Sequence, residues 1–425
     1  MNVVDSEVVA AILQQHQYRV CDSLEEADLV LVNTCSIRDN AEQKVRSRIR
    51  EFGRLKEKNH SFSVGVIGCM AERLKEKLLE EENTVDLVVG PDAYRDLPAL
   101  LQEVESGQKG INTILSLEET YGDIRPVRMD QNHVTSFVAI MRGCNNFCAY
   151  CVVPGTRGRE RSRDPETIVG EATELFSRGY REVTLLGQNV NSYCWKEGGS
   201  LLKFEKLLER VAGIDPSFRV RFATSHPKDM SDDLLKVIAR YPNLCRSIHL
   251  PVQSGSTSVL ERMKRRYTRE HYMDRISAIR KYLPEATIST DIIAGFCGET
   301  EEEHQQTLSL MEWAGYDFAY MFKYSERPDT FAADQLEDDV SEVVKSRRLS
   351  EIIELQNRLS LESKKRDVGL TFEVLVEGTS KKSSQQLYGR TSQNKVVVFP
   401  KKDLKPGDYT EVFITDCTSA TLIGS

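Results

Sequence analysis

No uninterrupted apolar run in this chain approaches the roughly 18–20 residues needed to cross a bilayer. Residues 1–10 lack the basic-then-apolar order of a secretion signal. Cysteine is too sparse for a disulfide scaffold, ten in 425 residues, and a reducing compartment disfavours such bonds. The seven histidines show no metal-ligand spacing. Positive charge is not in excess either, the formal net charge being −8. These absences exclude a bundle of membrane-spanning helices, a small secreted disulfide protein and a uniformly basic nucleic-acid binder. They lead us to expect a cytoplasmic protein. What is present, 40% hydrophobic and 29% charged residues, is globular composition. At about 150 residues per domain, roughly three domains are expected.

Residues 1–104 alternate helix and strand. Helical patterns over 2–17, 37–58, 70–82 and 92–104 separate apolar strand patterns over 28–33, 63–68 and 86–89. Such alternation predicts a parallel sheet covered by helices. The first element is a helix with no strand before it. A linker-like stretch over 105–132 leads to six further strand patterns, 136–141, 182–186, 219–223, 246–250, 286–293 and 317–324, with helical patterns between them. Six βα units in series predict a partial α/β barrel, with an open doubly wound sheet as the alternative. A charged helix over 340–365 precedes five short strand patterns with turn signals such as Lys405-Pro406-Gly407-Asp408. These predict a small five-stranded barrel of the oligonucleotide-binding kind. Residues 364–425 carry ten Lys/Arg against seven Asp/Glu, so this module is the relatively basic part of an acidic chain. The expected fold is thus α/β, in three domains over 1–125, 130–361 and 364–425.

The sharpest motif is Cys144, Cys148 and Cys151, spaced C-x3-C-x2-C just after the first strand of the expected barrel. Thiolates are the natural ligands of iron–sulfur clusters. Three of them on a four-iron cluster leave one iron open for a substrate. The competing reading is structural zinc, which takes four ligands, often in two spaced pairs. The next cysteine is Cys194, and no second pair accompanies the triplet. Cys35 and Cys69 each follow the carboxyl end of an expected strand. Those ends share one edge of a parallel sheet, where ligands bind. Taken alone, the pair reads equally as ordinary buried cysteine. Arg157, Arg159, Arg161 and Arg163 follow the triplet at every second position. In extended chain they share a face suited to phosphate. Pairing with Glu160 and Asp164 is the alternative.

The triplet with the six-unit barrel resembles the radical-SAM superfamily. Asn33-Thr34-Cys35-Ser36, Gly68-Cys69, the segment RGCNNFCAYCVVPGTRGRERSR and the terminal barrel together resemble the methylthiotransferase family, over nearly the whole chain. The segments around 33–46 and 186–193 resemble its tRNA branch. That resemblance implies a methylthio group added to C2 of N6-dimethylallyladenosine at position 37 of tRNA. It also implies two 4Fe–4S clusters and two S-adenosylmethionine molecules per turnover. Cys144, Cys148 and Cys151 would hold the radical-generating cluster, with no catalytic residue assigned beyond the clusters. Cys35 and Cys69 match the second and third ligands of an auxiliary cluster. Its first ligand, with the missing opening strand, is expected upstream of residue 1. Tyr150, Gly187, Gln188, Gln253 and Gly295 match positions lining the cofactor pocket. For Tyr150 a plain core aromatic is an equal reading; for the others, turn chemistry and strand packing are the alternatives. Cys297 and Asp329 depart from the family's usual proline and glycine. The terminal barrel resembles the TRAM module, an RNA-binding add-on. Implied partners are a tRNA anticodon stem-loop, an electron donor such as flavodoxin or ferredoxin, and a sulfur or cluster donor, around a monomer without membrane attachment. The alternatives are the same chemistry on a threonylcarbamoyl-adenosine tRNA or on a ribosomal-protein aspartate. A non-catalytic iron–sulfur or zinc RNA-binding protein is the reading from another class.

Overall fold

The computed structural model describes residues 1–34, 39–59, 61–129 and 132–425, without the side chains of 39–41. The chain divides into two compact units. The first holds residues 1–129, 141–147 and 151–167; the second holds 130–140, 148–150 and 168–425. The terminal barrel shares a unit with the six βα repeats, and the cysteine loop contributes to both units.

The first unit opens on the helix Asn2–Gln15, which buries Val4, Val8, Val9 and Ile12. Four parallel strands follow, β1 (Leu29–Thr34), β2 (Ser63–Gly68), β3 (Leu87–Val89) and β4 (Gly110–Asn112), adjacent in chain order. β2 and β3 are buried almost throughout, as strands covered on both faces must be. The helical pattern over 70–82 becomes two helices, Cys69–Leu74 and Glu76–Glu81. Lys75 between them has φ 50°, a left-handed conformation that no helix can continue through.

The second unit carries six parallel strands. β5 (Thr135–Ala139), β6 (Glu182–Leu186) and β7 (Arg219–Phe222) form one sheet; β8 (Ser247–His249), β9 (Thr287–Ala294) and β10 (Phe318–Lys323) form the next. Val220 joins them, donating to Asn243 O and accepting from Cys245 N. The result is an α/β partial barrel. Its helices are capped as their sequences require: Thr300 and Glu303 form a reciprocal capping box on Glu301–Ala314. Asp329, where the resemblance led us to look for glycine, adopts φ 64°. Aspartate tolerates that region better than most side chains.

The five C-terminal strands, β11 (Thr371–Thr379), β12 (Gln386–Arg390), β13 (Val396–Pro400), β14 (Tyr409–Cys417) and β15 (Leu422–Gly424), close into a barrel in the order β11-β12-β13-β15-β14. Alternate residues point inward, so Val374, Val376, Leu387, Val397, Phe399, Val412, Ile414 and Leu422 make its core. The module seats on the amino ends of β6, β7 and β9. Arg219 donates to Arg390 O and Glu373, Arg221 to Thr391 O, and Thr287 to Gln393 O. Tyr409 donates to Ser217 O. The opposite, carboxyl ends are left to loops. Among the described residues no helix is long and apolar enough to cross a membrane.

Candidate iron–sulfur and cofactor site

The cysteine loop is shaped by its backbone. Gly143 has φ 76°, and a Cβ there would run into the backbone of Arg159 and Gly158. Only glycine fits such an approach. In the first unit, Cys144 N donates to Gly158 O at 3.1 Å, and Asn145 N donates to the Glu160 carboxylate at 3.1 Å. Phe147, at φ 50°, lies under the Arg159 guanidinium. In the second unit, Ala149 N donates to Met263 O, and Ala149 O accepts from Ala332 N. Those two bonds set Cys148 and Tyr150 on either side of a fixed alanine. Cys144, Cys148 and Cys151 are half-buried, and no described cysteine is in a disulfide.

Arg265 is the residue that spacing alone does not reveal. It is buried, and its Nη1 lies 3.2 Å from Cys148 Sγ. Nη2 donates to Pro251 O at 2.9 Å and Nε to the Tyr267 hydroxyl at 3.1 Å. The guanidinium is thereby held against the sulfur by two further bonds. The available signal was an Arg265-Arg266-Tyr267 run in a barrel loop. Tyr150 packs edge-on against Phe296 at 6.3 Å between centroids, and its hydroxyl is 3.5 Å from Arg265.

The loops at the carboxyl ends of the second unit's strands hold the other candidates. Gly187 is buried. Gln188 Oε1 is buried without a hydrogen-bond partner. Gln253 adopts φ 71° and is held to β9 through Asp291 O and Ile293 N. Gly295, at φ 72°, donates its N–H to Glu299, and a Cβ there would enter the Lys345 side chain. Its glycine is therefore demanded by the turn and by packing.

Three of the four arginines are not on a shared surface. Arg157, Arg161 and Arg163 are 4%, 6% and 6% exposed; Arg159 alone is exposed. The segment is not one extended run: Val153–Arg157 is helical, and only Arg161–Ser162 is strand, paired with Met141–Arg142. Arg157 donates to Asp5 at 2.6 Å, Arg161 to Asp92 at 2.9 Å, and Arg163 to Thr167 and Gly122 O. An RNA-facing role for Arg157, Arg161 and Arg163 is thereby corrected. Buried acids and carbonyls, invisible to local spacing, draw these side chains inward.

Arg157 leads instead to Cys69. Its Nε donates to Cys69 Sγ at 3.1 Å, inside the first unit. Cys69 is buried and follows β2 directly. The β1–β2 register pairs Thr34 with Gly68, the residues that precede Cys35 and Cys69 in the chain. Cys35 lies outside the described residues. The donor chemistry fits iron–sulfur ligation at both places: cysteine sulfurs beside strand ends, with Arg265 bonded to Cys148 and Arg157 to Cys69. A separate trio, Glu301, His304 and Glu351, converges in the second unit, but Arg347 bridges both carboxylates. That cluster is held by ion pairs among its own side chains.

Comparison with known proteins gives three matches along the chain. The Radical SAM superfamily matches residues 138–311, the family described as uncharacterized protein family UPF0004 matches 1–90, and the TRAM domain matches 365–425. The tRNA-2-methylthio-N6-dimethylallyladenosine synthase of Phocaeicola vulgatus is 59% identical over 425 residues, covering 100% of this chain and 93% of the relative. That of Porphyromonas gingivalis is 56% identical over 427 residues, covering 100% and 92%. The chain belongs to the tRNA-2-methylthio-N6-dimethylallyladenosine synthase family. It is a radical-SAM enzyme, and the cofactors of its family are S-adenosylmethionine and two 4Fe–4S clusters. Membership sets aside the non-catalytic zinc or iron–sulfur reading. Among solved structures, the radical S-adenosylmethionine methyltransferase TsrM from Kitasatospora setae superposes with a TM-score of 0.57 at 15% identity, over 89% of this chain and 76% of that one. At that identity the likeness is one of fold.

Proposed function

We propose that this chain converts N6-dimethylallyladenosine to its 2-methylthio derivative at position 37 of tRNA, near the anticodon. Identity of 56–59% over the full length to synthases of that name carries the reading. Cys144, Cys148 and Cys151 hold the first 4Fe–4S cluster. When bound there, that cluster supplies an open iron and one electron to cleave S-adenosylmethionine to a 5′-deoxyadenosyl radical, able to take hydrogen from an unactivated C–H. The chain's own residues set the stage for this chemistry. Arg265 bonds to Cys148 and ties it to the Pro251 carbonyl. Gly187, Gln188 and Gln253 line the cofactor pocket at the strand ends, with Tyr150 and Gly295 shaping its walls. Cys69 and Cys35 serve the auxiliary cluster, with Arg157 locking Cys69 from behind.

The terminal barrel supplies RNA contacts. Lys381, Lys382, Lys401 and Lys402 are exposed. The bonds Ser380 N to Gln386 O and Lys401 N to Gln385 O bring these lysines to one end of the barrel. A target adenosine in a single-stranded loop can be splayed out for chemistry. The balance of electrons and sulfur calls for an electron donor of the flavodoxin or ferredoxin kind and a sulfur or cluster donor. A tRNA substrate supports a cytoplasmic location, and we expect a monomer. The test is nucleoside mass spectrometry of tRNA incubated anaerobically with reconstituted enzyme, reductant and S-adenosylmethionine. Gain of a methylthio group on N6-dimethylallyladenosine is expected. Gain on threonylcarbamoyl-adenosine, or on a ribosomal-protein aspartate offered in parallel, would overturn the reading.

A further inference from the structure

The strands of the partial barrel lie in the order β5-β6-β7 and β8-β9-β10, so β5 and β10 are its two outer edges. One face of these sheets packs under helices, burying Val138, Val183, Leu185, Ile288, Thr290 and Ala319. Successive side chains alternate between faces, so the other face lines the barrel interior. On that face both outer strands carry exposed rings. Phe137 on β5 is 38% exposed; Phe318 and Tyr320 on β10 are 47% and 51% exposed. Among the described residues these are the exposed aromatic side chains of all six strands. Phe318 and Tyr320 pack edge-to-face at 4.8 Å between centroids, and His249 meets Tyr320 in the same way at 5.9 Å. The register sets Tyr320 beside Asp291 and Phe318 beside Ser289. Barrels of closed α/β type fill their interior with side chains. Rings left exposed inside this one mark a place for an apolar ligand group.

The terminal barrel covers the amino ends of the strands, where Thr287 donates to Gln393 O. A ligand therefore enters from the carboxyl ends or through the gap between β5 and β10. The substrate named by the chain's relatives carries one apolar group, the five-carbon dimethylallyl chain on N6 of adenosine. C2 and N6 belong to the same edge of adenine, on either side of N1. An adenine that presents C2 at the carboxyl ends of the strands, beside Cys148, thus directs its N6 substituent into the same barrel. Phe137 and Tyr320 lie two and three residues before the ends of β5 and β10. At about 3.3 Å per residue the rings stand roughly 7–10 Å below those ends, a depth that a purine edge and a five-carbon chain span. Asp291 beside the rings opposes a substituent that carries a carboxylate, such as threonylcarbamoyl.

We propose that Phe137, Phe318 and Tyr320 form the pocket for the N6-dimethylallyl chain and so select prenylated over unmodified adenosine. The assignment rests on the proposed function. The test uses cluster-reconstituted, unreduced full-chain enzyme and two anticodon stem-loops that differ only in carrying N6-dimethylallyladenosine or adenosine at position 37. Affinity for each is read by filter binding in wild type, Phe137→Ala, Tyr320→Ala and Tyr320→Phe. Wild type is expected to prefer the prenylated RNA. Each alanine variant is expected to lower that preference about tenfold or more, the scale of a lost apolar contact in a selective pocket, by weakening the prenylated RNA alone. Tyr320→Phe, which keeps the ring, is expected to hold the preference. The rings are exposed, so their removal leaves the fold standing. Equal weakening of both RNAs makes the rings a general RNA contact and overturns the pocket. An unchanged preference in both alanine variants overturns it too, as does a wild type that binds the two RNAs alike. Each of these can occur in an enzyme that still methylthiolates the prenylated RNA, so the functional reading survives them. A wild type that methylthiolates threonylcarbamoyl-adenosine instead overturns the functional reading and the pocket together.

Discussion

Arg265 Nη1 and Cys148 Sγ lie 3.2 Å apart although 117 residues separate them in the chain. The guanidinium is also spent on Pro251 O and the Tyr267 hydroxyl, so it cannot swing away from the sulfur without leaving buried acceptors unpaired. We expect Cys148→Ala to abolish reductive cleavage of S-adenosylmethionine. Arg265→Gln, which keeps the cysteines but removes the cationic contact, is expected to lower cleavage or iron retention about 10–100-fold, the usual scale for groups behind a metal ligand. Product 5′-deoxyadenosine and iron per chain are the measurements. Wild-type values in both variants would contradict the site.

Asp5 is fully buried between two arginines, accepting from Arg142 and from Arg157. Burial raises its pKa, but the two guanidinium groups outweigh that and hold it below the ordinary carboxylate value. Removing the carboxylate strands two buried cations. Asp5→Ala should therefore destabilise the first unit by about 3–5 kcal/mol. A urea midpoint that does not fall would show that the pair is solvated.

Glu72 has the opposite problem. It is 1% exposed, and Oε2 has no hydrogen-bond partner. Burial is the main cause of a pKa raised from 4.5 to about 7, with Lys75 opposing. The folded state then holds a proton that the unfolded chain has released. Stability contributed by this group is full below about pH 4.5 and is lost as pH rises towards 7. Glu72→Gln should remove that loss, so wild type and variant should diverge in stability between these pH values. Parallel pH–stability curves would refute the shift.

Lys381, Lys382, Lys401 and Lys402 stand exposed at one end of the terminal barrel. Each phosphate they neutralise contributes about 0.7–0.9 to the log–log salt slope of binding. Replacing all four by alanine should flatten the slope and weaken tRNA affinity at low salt, with S-adenosylmethionine cleavage in the absence of RNA unchanged. An unaltered slope would give the module a structural role only.

Much of the fold was legible from periodicity. Apolar runs such as Ser63–Gly68, the repeated βα pattern and the alternating C-terminal strands each specify an element by its own local composition. The helix over 70–82 was misjudged because Lys75 breaks it through backbone conformation, not through a proline or glycine. Arg157, Arg161 and Arg163 were misjudged because local spacing does not show the partners that bury them: Arg157 ends a helical turn beside Asp5, Arg161 pairs with Asp92, and Arg163 bonds to Gly122 O.

The nearness of Cys144, Cys148 and Cys151 was determined by sequence alone, because three cysteines within eight residues share one short loop whatever surrounds it. The same holds for the strand-end placement of Cys69 after β2. What only the tertiary structure decided is which charges face those sulfurs. Arg265 reaches Cys148, and Arg157 reaches Cys69, because distant elements pack together and desolvation then requires every buried charge to find a partner. No local pattern encodes that choice, since it depends on which carboxylates, carbonyls and thiols the fold has already enclosed.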